Sequence, residues 1–192
     1  MISKRLSQYF FNAGLIQTDL QALEPHFEMK KLEAGEFWVN QGDEVAHVAF
    51  VEKGLFKKAI LKVDGSLVIK GFTAEGCHLA PYSALLTNKI SAYSIQAIEE
   101  SLIFELPFEV LNQFFRSNIR FLNFARVIAE QHFLGIEERE IELLTLDSKA
   151  MLDSLNAKFP GLISRIPIKD LAAYAGIHPA SLSRIRKKSL KK

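Results

Sequence analysis

Arg184, with Ser181 three residues before it and Lys187 and Lys188 just after it, sets a forked cation, a small hydroxyl and two ammonium groups toward one side of any helix running through them. A guanidinium can bond a guanine bidentately, lysines neutralise phosphates, and short side chains allow a helix to approach closely. The surrounding segment, Ile168 to Lys187, reads IKDLAAYAGIHPASLSRIRK. Leu171 and Ala175 form an i, i+4 pair and Leu182 and Ile185 an i, i+3 pair, so two short amphipathic helices are expected around a tight turn. Gly176 suits a left-handed residue leaving the first helix, small Ala172 permits a close crossing, and Pro179 suits the first turn of the second helix. His178 then falls at the N-cap, where Ser, Thr, Asp or Asn is the usual occupant. With Leu182 and Ile185 turned inward, Ala180, Ser181, Arg184, Lys187 and Lys188 face outward, a small, polar and basic surface suited to a DNA major groove. Arg184 is the candidate base reader, Ser181 and His178 candidate contacts at the helix start, and Lys187 and Lys188 candidate phosphate contacts.

Charge is distributed in the same sense. Net charge is only +2, yet residues 1–146 hold 14 basic and 19 acidic groups, whereas residues 147–192 hold 10 basic and 3 acidic ones. The basic end suits a polyanion. With 48% apolar residues the 192-residue chain can build a large domain and a small one. It has neither a long apolar run nor a signal-peptide pattern, so a cytoplasmic location without membrane association is expected. Cys77 is the only cysteine, too few for a disulfide or a cysteine-held cluster, and is expected to be a buried structural thiol. His26, His47, His78, His132 and His178 contain no H-x-H pair, and there is no nucleophile elbow or phosphate-cradling glycine loop. No catalytic or metal site is therefore expected, and a cupin-like metal enzyme is the weaker alternative.

The helices at the basic end need something to position and control them. Between Leu32 and Leu106, the apolar runs FWV, AHVAFV, LFKKAIL, LVIKGF, YSIQAI and SLIFEL alternate with glycines, and Asp64-Gly65 is a hairpin signal. This predicts a β-sandwich or roll. Ser7 to Phe27 and the chain from Pro107 onward read as helices, giving an α+β fold.

The markers Leu32-Glu33-Ala34-Gly35-Glu36, Asn40-Gln41-Gly42-Asp43, Val51-Glu52-Lys53-Gly54, Asp64-Gly65 and Glu75-Gly76, followed by Gly176 to Lys187, resemble the Crp/Fnr family of bacterial transcription regulators. The resemblance covers nearly the whole chain. It implies a cyclic-nucleotide-binding-like, double-stranded β-helix (β-roll) with flanking helices, a long dimerisation helix and a C-terminal helix-turn-helix. Double-stranded DNA, a second copy of the chain, RNA polymerase and a small-molecule effector are the implied partners. Arg184 matches the family's guanine-contacting arginine, whereas Ala180 stands where a Glu is usual, which implies a different base preference.

The phosphate-binding segment departs further from the family. Its equivalent is GCHLAPYSALLTNKISAYS, Gly76 to Ser94, in which the Glu position falls at or near Pro81, the Arg falls at Ile90, and the hydroxyl is kept as Ser91. Losing a bidentate, charge-assisted phosphate contact costs about 1.5–3 kcal/mol or more, and neighbouring Lys89 supplies only a point charge. No cAMP response and no cofactor are expected; Lys89 and Ser91 remain the candidate effector contacts. The family's iron–sulfur form lacks its cysteines, and its haem form would need His78 or Cys77. These two are adjacent, so on a strand they point to opposite faces and cannot share a metal.

From about Asn118 to Leu144 a long helix is expected. Ile119, Leu122, Arg126, Ala129, Phe133 and Ile136 are spaced 3, 4, 3, 4, 3, a coiled-coil seam suited to a homodimer. Phe121, Phe124, Ile128 and Leu134 are expected to rest on the β-roll. Arg126 within the seam calls for a carboxylate such as Glu130 of an opposing chain. Thr145-Leu146-Asp147-Ser148 offers caps before a helix from Lys149 to Phe159, which places a boundary between a sensor domain, 1–146, and a helix-turn-helix domain, 147–192. Few residues follow the second helix of the motif, so a reduced or absent wing is expected. The alternative for the same architecture is an effector-binding β-roll that does not bind DNA.

Overall fold

The structure is a computed structural model and describes residues 2–189. Two four-stranded antiparallel sheets face each other, in the orders β1-β8-β3-β6 and β2-β7-β4-β5. Their strands are β1 (Glu28–Leu32), β2 (Phe37–Val39), β3 (His47–Lys53), β4 (Phe56–Leu61), β5 (Leu67–Thr73), β6 (His78–Leu79), β7 (Ser94–Ala97) and β8 (Ser101–Pro107). Alternating residues from both sheets fill the space between them, among them Val39, Val51, Phe56, Leu79, Ile95 and Ile103. The Asp64-Gly65 turn closes the β4–β5 hairpin as expected: Gly65 has φ +80°, and Asp64 Oδ1 accepts from the Ser66 amide at 2.9 Å. Gly54, between β3 and β4, has φ +108°, and a Cβ there would lie 2.8 Å from the Ser101 Cα, so only glycine fits.

Helices cover one end of this roll: α1 (Lys4–Asn12), α2 (Gln17–Leu23), α3 (Tyr82–Thr87), α4 (Phe108–Ser117) and α5 (Ile119–Thr145). Asn118 caps α5 by accepting from the Arg120 amide, and Gly135 does not interrupt the helix. Phe121 and Phe124 of α5 are buried with Phe10, Leu20, Leu106 and Leu111, and Ile128 packs at the edge of this core. Leu134 departs from expectation, since it is 60% exposed. One face of α5 runs from Phe121 through Phe124 and Ile128 to His132 and Gly135, and the 3.6-residue repeat carries Leu134 off it.

After α5, Asp147 caps α6 (Ser148–Lys158) by accepting from the Ala150 amide, one residue earlier than the sequence suggested. Then follow α7 (Leu162–Arg165), α8 (Ile168–Tyr174) and α9 (Pro179–Ser189). Leu171, Ala172, Ala175 and Leu182 are buried where α8 and α9 meet, and Gly176 leaves α8 with φ +66°. These helices do not form a separate core. Leu55, Ala59 and Ile69, around β4 and β5, share one cluster with Met151, Leu155, Leu162, Ile166 and Leu171. Among the described residues no strand follows β8, and no helix is long and apolar enough to cross a membrane.

Candidate functional site

The exposed side of α9 begins at His178. Its carbonyl accepts from the Ser181 and Leu182 amides at 2.9 and 3.2 Å, and its ring Nδ1 accepts from the Ala180 amide at 3.3 Å. The imidazole thus supplies the cap that its residue type did not promise. His178, Ala180 and Arg184 are exposed and Ser181 is half-buried, while Leu182 is buried against α8. Arg184 Nε donates to the Ala180 carbonyl at 3.4 Å, which draws its guanidinium back along the helix surface. The side chains of Lys187 and Lys188 lie outside the described residues.

Three links fasten the α6–α9 segment, two to the roll and one to α5. Lys57 on β4 donates to both carboxylate oxygens of Asp170 on α8, at 3.1 and 3.0 Å, and both residues are buried. Arg165 at the end of α7 donates to both Glu75 oxygens, at 3.0 and 2.6 Å, and also bonds Glu99. Burial opposes ionisation of Glu75, but bonds from Arg165 and from the Gly54 amide prevail and hold its carboxyl down at about 2. Arg139 of α5 lies over the Tyr174 ring, 3.8 Å from its centroid, and donates to the Tyr174 carbonyl at 2.8 Å.

The segment aligned with a cyclic-nucleotide phosphate site is occupied with its own structure. Pro81 is buried at the N-cap of α3, and Ile90 is 61% exposed. The Ser91 hydroxyl is buried and donates to the Tyr93 carbonyl at 2.6 Å, and Lys89 is exposed. Ser91 is therefore committed to holding its own loop rather than presented to a ligand. The open space lies elsewhere: a cleft of about 1850 Å³ runs between β4–β5 and α5 toward α6 and α8, and none of residues 79–92 lines it.

Lys58, Lys70, Cys77, His78, Tyr93 and His132 line the roll end of that cleft. Strand alternation explains Lys58, which shares the inward face of β4 with Phe56 and Ile60, whereas Lys57 and Ala59 face the α6–α9 segment. A β-bulge explains Lys70. Lys58 pairs with Gly71 and Ala59 with Ile69, so Lys70 is the extra residue, on the face opposite buried Ile69. Its ammonium sits 4.8 Å from the Tyr93 ring centroid. Burial lowers Lys58 to about 8, helped by the charge of Lys70, and burial lowers Lys70 as well. Burial also lowers His78 to about 4, with Lys58 and His132 adding to it, and the Tyr9 hydroxyl is hydrogen-bonded to His78 Nδ1 at 2.9 Å. Burial, then the two lysines, lower His132.

Cys77 corrects an expectation, because its side chain is exposed at the cleft surface rather than buried. The surrounding protein still raises its thiol pKa. The lysine pair was not singled out in the sequence, although the alternation in LFKKAIL already places Lys58 with two inward apolar residues.

Most of the proposed seam of α5 lies on its outer side, although Ile136 also lines the cleft. Ile119, Leu122, Phe133 and Ile136 are 66%, 52%, 64% and 44% exposed, and Ala129 is half-buried. Arg126 does not wait for a carboxylate from another chain: its Nη1 bonds Glu130 of the same helix at 2.5 Å, an i, i+4 pair.

Comparison with known proteins gives this geometry a context. Residues 29–118 match the cyclic nucleotide-binding domain family. No curated protein sequence matches significantly. Among solved structures, the c-di-GMP-responsive global regulator CLP of Xanthomonas campestris is similar with a TM-score of 0.73 at 15% identity, over 92% of each chain. FixK2 of Bradyrhizobium japonicum gives 0.72 at 14% identity, over 84% of this chain and 83% of its own. The catabolite activator protein of Thermus thermophilus gives 0.58 at 21% identity, over 95% and 87%. At these identities the likeness is one of fold: a cyclic nucleotide-binding-type roll with a helical C-terminal segment of the kind found in Crp/Fnr regulators.

Proposed function

We propose that the chain is a homodimeric, sequence-specific DNA-binding transcription regulator of the Crp/Fnr type that works in the cytoplasm, has no catalytic role and does not respond to cAMP. The observation that carries the reading is the α8–α9 pair. Leu171, Ala172 and Leu182 pack the two helices together, and the opposite side of α9 presents His178, Ala180, Ser181 and Arg184. This packing supports reading the pair as a helix-turn-helix with α9 as its recognition helix. The exposed apolar seam of α5 supports pairing of two copies, which would bring two recognition helices to adjacent half-sites. Pro81 and Ile90, in place of the acidic and guanidinium ligands of a cyclic nucleotide, support the lack of a cAMP response.

A gel-shift experiment with the full chain and fragments of its own source genome tests this. Binding that prefers particular fragments and weakens steeply with salt is the expected result. Binding that is equal on all fragments, or none, refutes it and leaves the roll as a ligand-binding module.

A further inference from the structure

We infer that the roll end of the large cleft is a binding site for a small dianion, a phosphate monoester or a dicarboxylate, held between Lys58 and Lys70 and flanked by His78 and His132. Two ammonium groups on neighbouring strands share one face of the cleft. Among the described residues, Lys58 makes no hydrogen bond or ion pair, and Lys70 has only the Tyr93 ring beneath it. Lys58 is half-buried and Lys70 is exposed to the cleft, and two like charges that share one wall there gain from an anion lying between them. The bulge that turns Lys70 inward adds a second cation where a regular strand would have continued the pairing beyond Gly71, and such bulges commonly re-aim a side chain beside a site.

The surroundings agree with a ligand rather than with a structural pair. Opposite Lys58 stands Gly71, where even a Cβ would meet nothing within 4 Å, so the strand pair leaves space above the lysine. His78 and His132, both held toward their neutral forms, are able to donate one ring N–H each to an oxyanion. Carboxylates in the cleft lie at its other end. Glu138 and Glu142 are both paired with Lys158, and the nearer of them follows His132 by a rise of about 9 Å along α5. Glu75, beside Cys77, is committed to Arg165. Lysines rather than an arginine make point-charge contacts, which suit a compact dianion and not the bidentate grip on a cyclic phosphodiester. Residues 81–91 contribute nothing to this wall, so the site is distinct from the segment that aligns with a cyclic-nucleotide phosphate site.

The test is isothermal titration of the full chain with inorganic phosphate, succinate and cAMP in turn. Saturable binding of phosphate or succinate is expected, weakened about tenfold or more by Lys58→Met and by Lys70→Met, and retained in Lys58→Arg and Lys89→Met. Methionine fills the inner-face position of β4 between Phe56 and Ile60, and circular dichroism verifies that each variant is folded. The inference is overturned if neither dianion binds below about 10 mM. It is also overturned if the two methionine variants bind as tightly as the parent, or if Lys89→Met abolishes binding. Because the readout contains no DNA, dianion binding by a chain that fails every gel shift would uphold the site and refute only the regulator reading.

Discussion

Lys57 of β4 and Asp170 of α8, 113 residues apart in the chain, form a buried ion pair that fastens the roll to the first helix of the α8–α9 pair. Lys58, the next residue, faces the cleft on the other side of the same strand. One strand therefore connects the proposed anion site to the helices proposed to hold DNA. A ligand that shifts β4 acts directly on the docking of α8, provided it binds the two docked arrangements with different affinity.

The pair gives a first prediction. Lys57→Met leaves a carboxylate buried without its cation and should destabilise the fold by about 3–5 kcal/mol, whereas Lys57→Met combined with Asp170→Leu should recover most of that loss. Urea unfolding of the two variants measures both values. A single-variant cost under about 1 kcal/mol would mean that water reaches Asp170 and that the docking is loose.

Acid should weaken the fold through His78 before it reaches the carboxylates. Burial holds His78 at about 4 against an ordinary 6.5, so on going down in pH the unfolded chain takes up this proton first. Stability is expected to fall between about pH 6.5 and 4 and to level off below, as far as this group is concerned. Glu75, held down at about 2 from 4.5, contributes stability above pH 4.5 that is lost as pH falls toward 2. Thermal melts across this range should show the higher step shrink in His78→Gln, leaving the part that His132 contributes, and the lower one shrink in Glu75→Gln. A melting temperature flat from pH 6.5 to 4 contradicts the burial of His78.

Leu122 and Phe133, 52% and 64% exposed on the outer side of α5, should lie at the centre of a two-fold interface. Leu122→Glu with Phe133→Glu would place like charges across that axis. Sedimentation should then give a monomer for the variant and a dimer for the parent, with melting behaviour at low concentration little changed. A parent that sediments as a monomer at every concentration assigns the seam to some other partner.

What the sequence made legible was whatever depends on local pattern. The strand runs from FWV to SLIFEL, the Asp64-Gly65 hairpin, the Asn118 start of α5 and the Gly176 turn are each set by residues within a few positions of one another. Missed was β1, whose EMKKL pattern is mostly exposed and is held as a strand by pairing with β8, from Glu28 opposite Glu105 to Leu32 opposite Ser101. Cys77 was misjudged because the usual burial of cysteine was applied to a position that opens on a cleft. Arg126 and Glu130, by contrast, were already four apart in sequence, and an intrahelical pair was the simpler expectation.

The candidate site divides along the same line. Spacing alone brought His178, Ala180, Ser181 and Arg184 to one side of α9, since 3.6 residues per turn is enough to decide it. Lys58, Lys70, His78 and His132 come from β4, β5, β6 and α5, and no local pattern joins them. The fold does so, with the help of a bulge that LVIKGF does not announce beyond its glycine.

Arg184 gives the sharpest test of the DNA-binding reading. It is exposed nearly two turns after the His178 cap, and its only hydrogen bond among the described residues is to Ala180 of its own helix, so Arg184→Ala should leave folding stability almost unchanged. If the guanidinium reads a base, the variant should lose about 1–3 kcal/mol on the preferred DNA fragment and much less on random DNA, flattening the preference between them. If it contacts phosphate, the loss will be equal on both and the salt dependence will become shallower. Quantitative gel shifts at two salt concentrations separate these outcomes, and an unchanged affinity on both DNAs would remove α9 from the interface.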